Sequence, residues 1–127
     1  MIEVVPAGSD DLKWIAEKAH VTIGPTFFAI KAVRDGQIVG MVGYDAWTPN
    51  SCTMHVAIEH PIAVRRLKPK AFDIPRCLGR RVALAGVLSN NDRSLRFTQH
   101  LGFQRIAQLD DAWQPGVHIV LFRKELT

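Results

Sequence analysis

Long apolar runs are missing from this 127-residue sequence. No window approaches the roughly 18 apolar residues that a membrane-spanning helix needs, so no membrane partner is expected. The opening stretch, MIEVVPAGSDD, has neither the basic start nor the apolar run of a secretory signal, and the expectation is a cytoplasmic protein. Cysteine is scarce. Cys52 and Cys77 are the only two, they lie far apart, and they match no zinc or redox spacing. They read as reduced structural thiols. His20, His60, His100 and His118 show no ligand spacing either, so no metal is expected. No Ser/His/Asp or Cys nucleophile arrangement is legible. Repeats, low-complexity tracts and linkers are absent too, which favours one domain over residues 1–127.

What is present is ordinary for a folded chain: 47% apolar and 22% charged residues, which excludes long disorder. The net charge of +4 is unevenly spread. Between Arg65 and Arg105 lie ten basic residues, opposed only by Asp73 and Asp92, while the rest of the chain is mildly acidic. A basic block of this kind is either a solvated face or the seat of an anionic partner, a nucleic acid or a phosphate-rich cofactor. Nucleic-acid binding normally interleaves aromatics with the cations. Here the block holds only Phe72, Phe97 and Phe103, at positions that read as core, so nucleic acid is not favoured.

The periodicities alternate. Ile2 to Val5 reads as a strand ended by Pro6. Ser9 or Asp10 is placed to cap a helix running to about His20, with Leu12, Ile15, Ala16 and Ala19 as its buried stripe. Phe27–Val33 and Ile38–Tyr44 flank Asp35-Gly36, a strong hairpin signal because both residues tolerate positive φ. Ser51 to Glu59 reads as a further strand, with Thr53, His55, Ala57 and Glu59 on one face and Cys52, Met54, Val56 and Ile58 on the other. His60 to Gly79 reads as a loop and a helix interrupted by Pro69 and Pro75. Arg81–Leu88 is a strand. A helix follows from Ser89-Asn90-Asn91-Asp92 and stops at Gly102. Phe103–Leu109 and Val117–Arg123 make a last hairpin across Asp110-Asp111 and Gln114-Pro115-Gly116. The expectation is an α/β fold: a mixed sheet of about seven strands flanked by about three helices. Trp47 and Trp113 fall near hairpin turns and Trp14 in the first helix, positions that either wall a substrate mouth or cap the core.

The most informative stretch runs from Val87 to Phe103. A strand feeds an Asn-capped helix, whose first-turn N–H groups are free for an anionic or carbonyl partner. The pattern Asn91-x-x-Ser94 followed by Leu101-Gly102-Phe103 resembles the GCN5-related N-acetyltransferase (GNAT) family, most closely the branch that acetylates protein N-termini and related amines. The strand order from Phe27 to Arg123 fits the same family. Phe72-Asp73-Ile74-Pro75 with Leu78-Gly79 is similar to a GNAT subgroup common in phages and proteobacteria.

The resemblance implies acetyl-CoA as cosubstrate. Its pantetheine arm would lie along Val56, Ala57 and Ile58, with Asn91, Ser94 and Phe97 of the last helix facing it. The family's glycine-rich phosphate loop has no counterpart in Glu59–Lys68, which contains no glycine. Glycine matters there because backbone must approach phosphate closely. Arg65, Arg66 and Lys68 are the candidate side-chain replacements. The family's usual Tyr, four residues before the glycine, is Thr98 here, a far poorer acid. Tyr44, the only tyrosine, is a substitute candidate.

An amine must be neutral to attack a thioester, and amine pKa values of about 8 to 10.4 call for a base at pH 7. Glu59 is the first candidate and His55 the second. Glu59 follows apolar Val56 and Ile58, so its carboxylate is expected to be partly desolvated. The implied function is direct acetyl transfer from acetyl-CoA to a primary amine of a small molecule, protein N-terminus or lysine, with a homodimer as one possible state. The alternative is a degenerate GNAT fold serving as a binding or interaction module.

Overall fold

The Asp35-Gly36 turn behaves as its residues demand: both have positive φ, 52° and 77°. It joins β2 (Phe27–Arg34) to β3 (Gln37–Asp45) in an antiparallel pair. The computed structural model describes residues 1–126. β1 (Ile2–Pro6) leads through a 3-10 turn into α1 (Leu12–Ala19), and β4 (Ser51–Ile58) follows β3. Next come α2 (Ile62–Leu67), α3 (Asp73–Cys77), β5 (Val82–Leu88), α4 (Asp92–His100), β6 (Gln104–Gln114) and β7 (Val117–Glu125). The seven strands form one sheet in the order β1-β2-β3-β4-β5-β7-β6. Every pairing is antiparallel except β4 with β5. No helix among the described residues is long and apolar enough to cross a membrane.

Two small corrections concern helices. Asp11, rather than Ser9 or Asp10, secures the start of the first helix: its carboxylate accepts the Gly8 N–H and the Lys31 ammonium, both at 2.7 Å. The segment after β4 is two short helices rather than one. A 3-10 turn at Lys68–Lys70 separates them, and Pro69 sits at its start, where a missing N–H does no harm.

The sheet is covered unequally. On one face α1 lays Ile15 against Phe27, Ala29, Met41 and Ala57 of the first strands. On the other face α2, α3 and α4 bury Ala63, Leu67, Phe72, Phe97 and Leu101 against Val42, Met54, Ala83, Ala85 and Phe122. Glycine is needed where α2 crosses β3: a Cβ on Gly40 would stand 2.8 Å from the Ala63 methyl.

Candidate active site: a cleft where two parallel strands part

β4 and β5 pair from Ser51–Val82 to Met54–Ala85 and no further. Beyond that point β4 stays bonded to β3 as far as Ile58, while β5 stays bonded to β7 as far as Leu88. Each strand follows its outer neighbour, so the right-handed twist of the sheet drives the two apart. Val56, Ala57 and Ile58 therefore keep a strand edge that no other strand of the sheet covers.

Three adjoining cavities trace this edge. The narrowest, about 60 Å³, holds His55, Val56, Asn91 and Ser94, with His20 at one end. A second, about 130 Å³, shares Val56, Asn91 and Ser94 and adds Ala57, Ile58 and Glu59. The third, about 410 Å³, lies between α2 and α4 and opens at Ile58 onto Arg65, Lys68, Arg93, Arg96 and His100. Trp113 of β6 meets His20 at the end of α1, ring centroids 5.5 Å apart, beside the narrow cavity that His20 lines.

α4 starts at the gap because Asn91 caps it, its Oδ1 accepting the Ser94 N–H at 3.2 Å. Ser94 and Phe97 are buried, and Ser94 faces the cleft from the first turn. Thr98 is fully buried, and its hydroxyl donates to the Ser94 carbonyl at 2.7 Å. That commitment leaves it no spare proton to offer. Tyr44 does not line the cleft. It lies in the helix-side core, 2% exposed, with a hydroxyl that has no hydrogen-bond partner and a pKa driven up by burial.

The two base candidates differ. Glu59 is half-exposed, at 45%, and pairs with Lys18 of α1. Glu59 lies just beyond the end of β4, and its side chain is about half covered. Its carbonyl accepts Arg93 Nη1 at 3.2 Å, tying α4 to β4 across the cleft. His55 is mostly buried and stacks on Phe27, with centroids 5.9 Å apart. Burial holds its imidazole below the ordinary value of 6.5, against the opposite pull of the Asp45 carboxylate 3.8 Å away.

The first turn of α2 lies within the glycine-free segment Glu59–Lys68. Its amides are already used: Ile62 N–H by His60 Nδ1, Ala63 N–H by the His60 carbonyl and Val64 N–H by the Pro61 carbonyl, at 3.0 to 3.2 Å. Any grip on an anion here falls to side chains. Arg65 and Lys68 line the large cavity, whereas Arg66 does not. Arg93 and Arg96 of α4, both within the basic block of the sequence, line the same cavity. Their i, i+3 spacing on α4 was the available signal, since it puts both on one helix face.

No protein-family model matches the chain, and no curated protein sequence matches it. Solved structures do. The chain superposes on the ribosomal-protein-S18-alanine N-acetyltransferase of Escherichia coli with a TM-score of 0.78 at 13% identity, covering 100% of this chain and 95% of that one. A Salmonella typhimurium protein described as an acetyltransferase and solved with acetyl-CoA gives 0.77 at 18% identity, with 99% and 94% coverage. A Desulfovibrio desulfuricans protein assigned to the GNAT family gives 0.76 at 15% identity, with 100% coverage of both chains. The seven-stranded sheet parted between β4 and β5 is the fold of the GNAT acetyltransferases.

Proposed function

We propose that this chain is an N-acetyltransferase that moves an acetyl group from acetyl-CoA directly to a primary amine, on a small molecule or on a protein N-terminus or lysine. One observation carries the reading: three adjoining cavities follow one another from a buried histidine, along a free strand edge, to a space lined by the basic side chains of Arg65, Lys68, Arg93 and Arg96. The shape and charge fit a long thioester with a phosphate-rich end. The edge of Val56–Ile58 offers backbone groups to an amide-bearing arm. Arg65, Lys68, Arg93 and Arg96 offer charge-assisted donors to phosphate.

Bound acetyl-CoA supplies an acetyl thioester, whose carbon–sulfur bond breaks as the nitrogen–carbon bond forms, the sulfur leaving with the electron pair and taking up a proton. His55 is the base in this reading. Its depressed pKa keeps the imidazole neutral at pH 7, and it sits in the narrow part of the cleft. A neutral imidazole accepts the proton that an incoming ammonium must lose. Glu59 serves instead to hold Lys18 and, through its carbonyl, Arg93.

The test is calorimetric titration with acetyl-CoA, followed by assay of thiol release with a panel of primary amines. Saturable binding and amine-dependent thiol release are expected. Failure to bind acetyl-CoA would leave the fold as an interaction module.

A further inference from the structure

The helix-free face of β5, β7 and β6 carries a second feature beside the transfer cleft. Trp47, Thr53, Leu84, Gly86, Ile106 and Leu121 line an open, almost wholly apolar groove of about 400 Å³. Trp47 and Ile106 are 66% and 55% exposed, an unfavourable placement for such side chains unless something covers them. The groove adjoins the cleft, for both are lined by Ala85 and Gly86. Thr53 in its floor lies two residues before His55 on the same strand face, a separation of about 7 Å.

Gly86 sits where the two spaces meet. No left-handed backbone requires glycine there, and a Cβ would meet only ordinary contacts, Ile119 at 3.4 Å and Leu121 at 3.6 Å. Glycine inside a strand weakens it, and often marks a place where a ligand passes close to the backbone. Here its bare surface keeps the groove open to the cleft.

We infer that the groove is the acceptor's second subsite, and that the amine substrate carries an apolar tail, alkyl or aromatic, of roughly the length that separates His55 from Trp47. This rests on the acetyltransferase reading above. With the amine nitrogen at His55, the tail crosses Gly86 and packs between Trp47 and Ile106. The groove offers no charged side chain to a polar tail. Each methylene buried there should raise kcat/KM about three- to fourfold until the groove is full.

The experiment measures kcat/KM for ethylamine, butylamine, hexylamine and 2-phenylethylamine, with 2-(2-aminoethoxy)ethanol as a polar tail of matched length. A steep rise with apolar length, not shared by the ether alcohol, is the expected result. In Trp47→Ala the ratio of hexylamine to ethylamine kcat/KM should fall at least tenfold. Trp47 is largely exposed, so this truncation leaves the core intact. In Gly86→Val the same ratio should fall because the passage narrows. A readout free of turnover is tryptophan fluorescence on adding N-hexylacetamide, expected to change saturably in the parent protein and with at least tenfold weaker affinity in Trp47→Ala, whose remaining Trp14 and Trp113 lie beside the cleft.

Acetyl-CoA binding and turnover with equal kcat/KM for every tail would overturn this inference and leave the acetyltransferase reading standing. Absence of acetyl-CoA binding, with no turnover of any amine, would overturn both. A dimer in sedimentation whose formation abolishes the fluorescence response would give the groove to a second copy of the chain, and would also overturn it.

Discussion

In the first four strands both faces of the sheet are covered, by α1 on one side and by the α2–α3 segment on the other. In β5 and β7 only the helix-side face is covered, by α4, and all eleven residues of β6 are exposed. Between the two halves of the sheet the strand ladder runs for only four residue pairs. Stability and function are divided along the same line. The first half is packed on both faces. The second half offers open walls, and the proposed chemistry sits at the seam.

The largest expected effect lies at that seam. His55→Gln removes the base while keeping a hydrogen-bonding group of similar reach. Turnover at pH 7 should fall by about 10²-fold or more with acetyl-CoA affinity unchanged, and the loss should shrink at high pH as free amine becomes abundant. Glu59→Gln, assayed in parallel, should do far less. A reversed order would return the role to Glu59.

The packing contrast comes next. Met41 is fully buried under α1, so Met41→Ala should cost about 2–5 kcal/mol in chemical denaturation. Ile106→Ala, on the open half, should stay within about 0.5 kcal/mol. Similar losses at both positions would dissolve the distinction between halves.

Charge at the cleft's wide end gives a third contrast. Arg65→Ala with Arg93→Ala should weaken acetyl-CoA binding at least tenfold by calorimetry, since charged hydrogen bonds are worth about 1.5–3 kcal/mol each. Arg66→Ala, outside the cavity, should leave the dissociation constant unchanged.

Asn91→Ala sharpens the comparison less. Loss of the cap should cost about 1 kcal/mol of stability. Cofactor affinity should drop as well in protein shown to be folded. A change in melting temperature alone would reduce Asn91 to a cap.

The smallest effect is on pH. Unfolded His55 takes up a proton near 6.5, but the folded imidazole does so only at lower pH. Between those values the unfolded state holds more protons. Stability is therefore complete above about 6.5 and declines as pH falls. Melting temperatures of the parent should drop more steeply from pH 6.5 to 5 than those of His55→Gln.

Local chemistry made much of this legible in the sequence. Asp35-Gly36 set the first hairpin, Asn91 and Gly102 bounded α4, and alternation along Ser51–Ile58 assigned its faces. What escaped depends on contacts distant in sequence. The Lys18 pairing of Glu59 joins α1 to β4, and no periodicity announces it. Arg65 and Arg66 are adjacent in the chain, and only the packing of α2 on β1, β2 and β3 decides which one faces the cavity. Asp110-Asp111 reads as a turn, yet β6 continues through it, with Asp111 held at φ 54° and its N–H donated to His118 Nδ1.

That irregularity in β6 has a consequence for life at high concentration. A free eleven-residue edge is a template on which other chains could stack. The pairing with β7 shifts register between Arg105 and Ala107, and again between Leu109 and Gln114, so the longest regular run is Ala107–Leu109. Fibril-forming segments need about six or seven residues in register. The bulges divide the edge into pieces too short to propagate a cross-β stack. The chain can thus leave an apolar face open to small molecules while denying its border to aggregation.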